Sequence, residues 1–381
     1  MQYDTNVAII GGGICGLAIG AFLSPNYHSI LLERNPHTLL ETSSHNSGVI
    51  HAGLYYRPGS LKAVLCNEGR GWLYDHKNEL DLRKTGKLII AANEDEVRIL
   101  LQKKENASCN GVDLGDLLNK NDIQKIQPNI KAHSALYSPE TGIIDVHSLA
   151  KLYVDMRDKN EYGRMPTLTN SKVVGIESLN PGFRVNYIDS HGNQKSLTSE
   201  VVVNAAGLCS DLVTNMLGKD ITQRFTKGDY WTIKNEVLPT EEFNVLVYPV
   251  PQERGLGIHL TFDLGGRILL GPNVIPLEPR PQVATLDTLS TNSDFLTDPE
   301  HRYEFFNAAT VYLPFIKSPD EITEADAGIR PQFEGVKSDF VIEEMLPGFV
   351  CLVGIESPGL TASPAIGRYV RGVIENITTR K

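Results

Sequence analysis

NVAIIGGGICG, residues 6–16, decides the fold because it joins a short apolar strand directly to a glycine-rich turn. Gly11, Gly13 and Gly16 have the spacing of the GxGxxG dinucleotide fingerprint. The first glycine permits a tight turn, the second lets a pyrophosphate approach the backbone, and the third lets the next helix pack against the strand. The stretch therefore predicts a βαβ nucleotide-binding unit at the start of the chain.

The residues that follow complete this unit. Residues 17–22 are apolar and predict the helix that follows the glycine turn. The N-terminal amides and the positive dipole end of this helix would face the diphosphate. Residues 29–32 form a second strand that ends in Glu33, where the fingerprint expects an acid that binds the ribose hydroxyls. An acid at this position disfavours NADP. One fingerprint at the N-terminus of a chain this long is the usual layout of a flavoprotein, so FAD is the predicted cofactor.

The composition narrows the class of protein. The chain has 381 residues, enough for two domains, and its 41% hydrophobic and 22% charged content is ordinary for a soluble globular protein. No run reaches the roughly 18 apolar residues of a membrane span, and the first apolar run already belongs to the nucleotide unit, so we expect no secretory signal. A net charge of −10 argues against nucleic acid and requires local cations for an anionic substrate. We expect a cytoplasmic protein, with peripheral membrane association left open.

Cysteine usage agrees with this compartment. The five cysteines are scattered without CxxC spacing, which favours reduced and mostly buried thiols over disulfides or zinc. Cys15 lies inside the glycine turn, where we expect a small side chain tolerated by close packing. The sequence predicts no metal site.

The order of apolar runs predicts a discontinuous nucleotide-binding domain. Residues 172–177, 183–187 and 194–197 form short strands separated by turns, which is a meander inserted into that domain. Residues 201–207 form a near-continuous apolar strand that closes on small residues, as expected for a parallel strand buried on both faces. From about residue 222 to 320 the pattern is that of antiparallel strands, and Asp263-Leu264-Gly265-Gly266 predicts the turn of a hairpin.

The predicted fold class is α/β: a Rossmann-like FAD-binding domain interleaved with an α+β substrate domain on an antiparallel sheet. The predicted FAD-binding segments are residues 1–80, 145–221 and 325–381. The predicted substrate-binding segments are residues 81–144 and 222–324. Sites in such folds lie between the two domains.

A second block, SSHNSGVIHAGLYYRPGSLK at residues 43–62, carries two histidines, two tyrosines, an arginine and a lysine among three glycines. Histidine exchanges a proton near neutral pH, and tyrosine, arginine and lysine can bind a carboxylate. The glycines let the backbone approach a flat ring. The alternative is a polar surface loop; we favour an active-site loop.

This block resembles the L-2-hydroxyglutarate dehydrogenase family of FAD-dependent oxidoreductases, in the superfamily of D-amino-acid oxidases and glycerol-3-phosphate dehydrogenases. Further matching stretches lie at residues 85–89, 141–145, 257–259, 270–273 and 328–331. GIESPGLT, residues 354–361, differs from family members that carry Asn-Ala-Pro-Ser-Pro and resembles the branch with Glu-Ser-Pro-Gly-Leu-Thr. The resemblance spans nearly the whole chain, and these differences leave the substrate side chain open.

The resemblance implies oxidation of a 2-hydroxy acid, first of all L-2-hydroxyglutarate to 2-oxoglutarate, with hydride transfer from C2 to flavin N5. This reaction needs a base, a carboxylate clamp and a group that stabilises reduced flavin. His51 is the first candidate for the base and His259 the second. Arg330 is the candidate clamp, because a guanidinium offers a bidentate fork to a carboxylate. The other candidate substrate ligands are Tyr55, Tyr56 and Lys62.

The closing block predicts a cofactor contact. Pro358-Gly359 would form a turn, and a helix that begins near Thr361 and is capped by it would favour anionic reduced flavin. The alternative is a C-terminal helix that docks on the sheet. The full predicted FAD-binding set is Gly11, Gly13, Ile14, Cys15, Gly16, Glu33, Arg34, Ser43, Ser44, Asn46, Ser47, Val174, Ala205, Ala206, Gly207, Gly328, Gly359, Leu360 and Thr361.

Other functions stay open at this point. The scaffold also suits a glycerol-3-phosphate dehydrogenase, which would need several cations for the phosphate, or an amino-acid or amine oxidase. A flavin-binding redox module without turnover is a further alternative, and the crowded 43–62 block argues against it. The resemblance implies a membrane quinone as electron acceptor.

Overall fold

The computed structural model describes residues 2–159, 166–251, 257–286, 292–333 and 339–380. It contains helices and strands, and the strands form three sheets. In chain order they are β1 Thr5–Ile10, α1 Ile14–Leu23, β2 Ser29–Leu32, β3 Val49–Ile50, α2 Leu61–Asp75, β4 Leu82–Lys84, β5 Lys87–Ala91, α3 Glu94–Cys109, α4 Lys120–Ile126, β6 Ser134–Ser138, β7 Gly142–Ile144, α5 Val146–Asp158, β8 Thr167–Leu168, β9 Lys172–Ser178, β10 Phe183–Ile188, β11 Gln194–Asn204, α6 Ser210–Asn215, β12 Gln223–Ile233, β13 Leu246–Pro249, β14 Leu260–Phe262, β15 Ile268–Leu270, β16 Ile275–Leu277, α7 Arg302–Thr310, β17 Ile322–Phe333, β18 Val341–Leu346, β19 Phe349–Val353 and α8 Gly359–Thr379.

The first sheet confirms the predicted nucleotide-binding layer. Its order is β18-β19-β11-β1-β2-β8, with β10 beside β11 and β9 beside β10. Strands β19, β11, β1, β2 and β8 run parallel, as expected for a sheet whose two faces are both covered. Helices α1, α5 and α8 cover one face, and β9, β10 and α6 pack against the other. The result is a three-layer α/β arrangement that leaves the carboxyl ends of β1, β2 and β11 at one edge.

Strand β11 differs from the sequence prediction. Two strands were expected, at residues 194–197 and 201–207, but one strand runs from Gln194 to Asn204. Its first half pairs antiparallel with β10 and its second half pairs parallel with β1 and β19. Residues 198–200 contain no glycine or proline, so the backbone continues from one set of partners to the next without a break.

The second sheet is largely antiparallel, as predicted for the substrate domain. Its order is β16-β12-β15-β14-β13-β5-β6, and β17 pairs along almost the whole length of β12. The predicted hairpin is confirmed as β14 and β15. The predicted domain boundary at residue 325 falls inside β17, all of which belongs to this sheet. A small third sheet has the strand order β3-β7-β4. It joins the 43–62 block to residues of the predicted substrate segment 81–144.

Helix α8 begins earlier than the sequence predicted. It starts at Gly359, with Pro358 in the N-cap position, so Thr361 lies inside the first turn and does not cap the helix. The Thr361 hydroxyl instead donates to the Val49 carbonyl at 3.2 Å, which ties the helix to β3. Pro364 has no N–H to donate to the Leu360 carbonyl, and the Ser363 hydroxyl replaces it at 2.9 Å. In the described residues, no helix combines the length and apolar character needed to cross a bilayer.

The first turn of α8 packs unusually close to α2. A methyl group added at Gly69 would overlap the Thr361 carbonyl oxygen and lie 2.9 Å from the Cα of Ala362. Gly71, two residues further along α2, has no heavy atom within 4 Å of the same position. Gly69 is therefore required by packing, and Gly71 is not.

We predict that Gly69→Ala destabilises the protein by about 1–3 kcal/mol, because the overlap is with backbone that cannot move away. Gly71→Ala is the matched control: the same change, in the same helix, is expected to stabilise by about 0.5–1 kcal/mol through helix propensity. The midpoint of urea unfolding measures both. Equal effects of the two substitutions would contradict the close packing of α2 and α8.

Candidate active site

Two adjoining cavities lie at the carboxyl ends of the parallel strands. The larger has a volume of about 240 Å³ and the smaller about 90 Å³. Five residues line both cavities and so form the junction between them: Gly13, Thr42, Ser43, Ala205 and Gly207. The two cavities therefore form one elongated crevice, at the edge of an open α/β sheet where ligands of such folds bind.

The glycine turn lines the junction through Gly13 and the smaller cavity through Gly11. Gly11 has φ +108°, and a Cβ there would overlap the Ala205 carbonyl oxygen. A Cβ on Gly16 would overlap the Gly11 carbonyl oxygen, so this glycine serves helix packing and lines neither cavity. The N-terminus of α1 opens at Gly13 and Ile14, where the amide of Ile14 donates to Ser43 Oγ at 3.0 Å. The dipole of this helix favours an anionic group at the junction.

Glu33 lines the smaller cavity, as expected for a ribose-binding acid. One carboxylate oxygen accepts from the Gly12 amide at 2.7 Å and the other from the Asn35 amide at 2.8 Å. Burial raises the pKa of Glu33, and the nearby Glu41 adds to this effect. Each oxygen has a further lone pair, so the carboxylate can still accept from a hydroxyl. Arg34 also lines this cavity and pairs with Glu41 at 2.7 Å.

His51 lies in the wall of the larger cavity. Its backbone amide donates to the Thr361 hydroxyl at 3.0 Å, and its Nε2 lies 3.2 Å from Ser357 Oγ. Burial lowers the pKa of His51 to about 3, with smaller contributions from Lys87 and His259. The imidazole is therefore uncharged at neutral pH and able to accept a proton.

His259 lies in the same wall and has a defined tautomer. Its Nδ1 lies 2.9 Å from the Gly257 carbonyl, which can only accept, so Nδ1 carries the hydrogen and Nε2 is an acceptor. The ring stacks on Tyr248 with the ring centroids 3.8 Å apart. Burial lowers the pKa of His259 to about 3, and Lys87 and Arg330 lower it further against the opposing effect of the Gly257 bond. The structure thus brings both predicted bases together in uncharged form.

Arg330, on β17, also lines the larger cavity. One guanidinium nitrogen donates to the Asn273 carbonyl at 3.1 Å, which fixes the side chain. Within the described ranges, no carboxylate forms an ion pair with it. Arg330 therefore has donors available for an anionic ligand, and its role as a carboxylate clamp stays a prediction.

The family of the chain follows from comparison with known proteins. A family model described as FAD dependent oxidoreductase matches residues 6–372. The chain belongs to this family. The L-2-hydroxyglutarate dehydrogenase of Arabidopsis thaliana mitochondria is 32% identical, over 96% of this chain and 82% of that protein. The L-2-hydroxyglutarate dehydrogenase of Indibacter alkaliphilus is 30% identical, over 96% of this chain and 98% of that protein.

Solved structures show the same fold. The L-α-glycerophosphate oxidase of Mycoplasma pneumoniae, with FAD bound, superposes with a TM-score of 0.84 at 25% identity, covering 98% of this chain and 95% of that one. The glycine oxidase of Geobacillus kaustophilus superposes with a TM-score of 0.77 at 19% identity, covering 98% and 95%. This FAD-dependent oxidoreductase therefore has the Rossmann-like fold that its first residues predicted, and FAD is its cofactor.

The crevice fits FAD in this enzyme. Glu33 lies at one end of the crevice, the N-terminus of α1 lies at the junction, and His51 and His259 lie at the other end. At Gly207 a Cβ would meet no heavy atom within 4 Å, so this face of the junction is open to a ligand. The predicted FAD-binding residues that line one or both cavities are Gly11, Gly13, Ile14, Cys15, Glu33, Arg34, Ser43, Asn46, Ser47, Ala205, Ala206, Gly207, Gly328, Gly359 and Leu360.

Besides Gly16, three predicted FAD-binding residues lie off the cavity walls. Ser44 donates to the Leu39 carbonyl at 2.7 Å, and Thr361 is engaged with β3 and His51. Val174 is 40% exposed, while its neighbour Val173 lines the smaller cavity. The sequence did not indicate which of two adjacent valines faces the ligand, and successive strand residues point to opposite faces.

The three other candidate substrate ligands, Tyr55, Tyr56 and Lys62, line neither cavity. The Tyr55 hydroxyl has no hydrogen-bond partner among the described residues. The Tyr56 hydroxyl interacts with the Ser357 side chain. Lys62 pairs with Glu356 at 2.7 Å, and both side chains are buried. It is Glu356 of this pair that faces the cavity, where Lys62 neutralises it and Gln332 donates to its other oxygen at 3.0 Å.

Sequence reasoning missed two tyrosines of the cavity wall. The Tyr248 ring stacks on the imidazole of His259, and the Tyr230 hydroxyl interacts with the Ser47 side chain. Both tyrosines lie in buried strands of the second sheet, where an aromatic residue is ordinary. Only the pairing of distant strands brings them to the site.

We predict that Lys62→Met destabilises the protein by about 3 kcal/mol, because it leaves Glu356 as a buried carboxylate without its cation. The double variant Lys62→Met/Glu356→Gln should recover most of this loss. Urea unfolding of the three proteins measures the effect. If Lys62→Met instead weakens substrate binding with no change in stability, Lys62 is a substrate ligand after all.

Proposed function

We propose that this enzyme oxidises the C2 hydroxyl of a small 2-hydroxy dicarboxylate, with L-2-hydroxyglutarate as the first candidate and 2-oxoglutarate as its product. The observation that carries the proposal is a cavity wall with two uncharged histidines and an arginine that has no carboxylate partner among the described residues. The chain is also similar to L-2-hydroxyglutarate dehydrogenases over nearly its whole length. The bases match the hydroxyl proton and the arginine matches the carboxylate.

The chemistry divides between cofactor and protein. When bound, FAD supplies a hydride acceptor, N5 of its isoalloxazine ring. Arg330 binds the carboxylate next to C2 and so orients the hydroxyl toward the histidines. His51 accepts the hydroxyl proton at Nε2, directly or through the Ser357 hydroxyl 3.2 Å away. The N-terminus of α8, at Gly359 and Leu360 in the cavity wall, favours the negative charge that develops beside it.

Glycerol 3-phosphate is a second candidate substrate, because the superposition on an L-α-glycerophosphate oxidase is close. A phosphate dianion is best held by several cations at one place. In the described part of the cavity wall, Arg330 is the cation without a carboxylate partner. This favours a carboxylate over a phosphate ester. A quinone acceptor, a cytoplasmic location and peripheral membrane association stay predictions.

An anaerobic titration of the purified yellow protein tests this function. We expect L-2-hydroxyglutarate to bleach the visible absorption band of the flavin, with release of a 2-oxo acid and no ammonia. The D-isomer is the matched control and should leave the band unchanged. Lactate, glycerol 3-phosphate and glycine test the other reactions of the scaffold, and bleaching by only the phosphate ester or the amine would overturn the proposal.

The low pKa values of His51 and His259 predict an unusual pH profile. A base with an ordinary histidine pKa would lose activity below about pH 6.5. Here both imidazoles stay uncharged to much lower pH, so the limiting rate constant for flavin reduction at saturating substrate should stay level down to about pH 5. Anaerobic stopped-flow measurements give this profile.

The same measurement assigns the base. His51→Asn should keep FAD and its colour but reduce at least about 100-fold more slowly, since a positioned base contributes roughly 10²–10⁴. His259→Asn is the comparison, and we expect a smaller loss. If His259→Asn has the larger effect, His259 is the base and His51 supports it.

A further inference from the structure

Lys87, the first residue of β5, has no assigned part in the reaction and an unusual environment. Its side chain is completely buried, and Nζ has no hydrogen-bond partner among the described residues. Nζ lies 4.8 Å from the ring centroid of Tyr55 and 4.4 Å from that of Tyr248. The ammonium group is thus held between two aromatic rings.

This burial is costly for the fold. An unpaired buried charge loses its hydration, and two cation–π contacts offset only part of that loss. Burial accordingly lowers the pKa of Lys87 to about 7, opposed by the nearby Cys66 thiol. A methionine of similar shape would fill the same space without this cost, so stability does not explain a lysine here.

The surroundings of Lys87 connect it to the active site. The imidazole of His259 covers one face of the Tyr248 ring, so the ammonium lies over the other face. Lys87 also contributes to the lowered pKa of both His51 and His259. Among the described residues, the titratable groups that interact with Lys87 are Tyr55, Tyr248, Cys66, His51 and His259, and none of these is a carboxylate.

We propose that Lys87 is a positioning residue whose buried ammonium disfavours protonation of both active-site histidines and which takes up a proton when a carboxylate ligand enters the cavity. The second half of this statement rests on the proposed function, because it requires an anionic ligand. The first half concerns this chain's own residues and holds for any substrate.

The sign of the proton uptake follows from linkage. An anion in the cavity favours the charged form of a nearby lysine, so it raises the pKa of Lys87 from its low value. Above that value, part of the unliganded protein has lost the proton and regains it on binding. Below about pH 6, Lys87 is charged with or without ligand and uptake vanishes. The reciprocal effect is tighter binding while Lys87 is charged.

Glutarate, which lacks the C2 hydroxyl and cannot be oxidised there, is the probe. Its binding to the oxidised holoenzyme is measured by calorimetry in buffers of different ionisation enthalpy, which gives the number of protons taken up. At pH 8 we expect roughly half a proton or more per site, and little at pH 6. Lys87→Met should abolish the uptake and weaken binding at pH 7 about tenfold. Lys84→Met, which removes an exposed lysine three residues earlier, is the control and should change neither.

A second measurement keeps the proposal testable if glutarate does not bind. Histidine-labelled holoenzyme is titrated with acid and followed by ¹⁵N NMR, with His51→Asn and His259→Asn to assign the two rings. In Lys87→Met both imidazoles should protonate at a pH higher by about one unit, because the repelling charge is gone. Failure of glutarate to bind, with this shift present, would count against the dicarboxylate substrate and not against Lys87. Unshifted histidines, or proton uptake that persists in Lys87→Met, would overturn the proposal.

Discussion

The site depends on how the first turn of α8 is fixed to the rest of the molecule. The Thr361 hydroxyl accepts from the His51 amide and donates to the Val49 carbonyl, so one side chain holds the backbone on both sides of Ile50. The carbonyl of the same residue touches Gly69 of α2, which leaves no space for a larger residue. The position of His51, the proposed base, is therefore set by packing of α8 against α2 and β3, although the loop that carries it is rich in glycine.

Burial then sets the chemistry of the groups placed there. His51 and His259 have lowered pKa values chiefly because their charged forms lose hydration, and Lys87 shifts in the same direction for the same reason. Cys15 lies in the cavity wall, and burial raises the pKa of its thiol to about 12, which disfavours the thiolate at neutral pH.

Local patterns in the sequence predicted local structure well. The fingerprint defined β1, α1 and β2 to within a few residues because each glycine has a steric reason at its own position. The sequence failed where the outcome depends on distant partners. It predicted Lys62 as a substrate ligand, since nothing nearby shows that Glu356, almost 300 residues later, would neutralise it. Tyr248 and Lys87 were missed for the same reason: they are ordinary strand residues until β13 pairs with β5 and brings both beside His259.

The distribution of charge around the cavity bears on the shape of the anion it admits. The chain is acidic overall, so an anion is drawn in only by cations close to the cavity. The negative charge of Glu356 in the wall is neutralised by Lys62. Arg330 can form two parallel hydrogen bonds with a carboxylate at one position in the wall. Lys87 lies over the Tyr248 ring, outside the cavity, and contributes a second positive charge. A compact phosphate dianion is best bound by cations that lie close together. Two separated carboxylates can instead use hydrogen bonds from Arg330 for one group and the longer-range positive charge of Lys87 for the other. This separation of the two positive charges is the physical reason to expect a hydroxy diacid in preference to a phosphate ester.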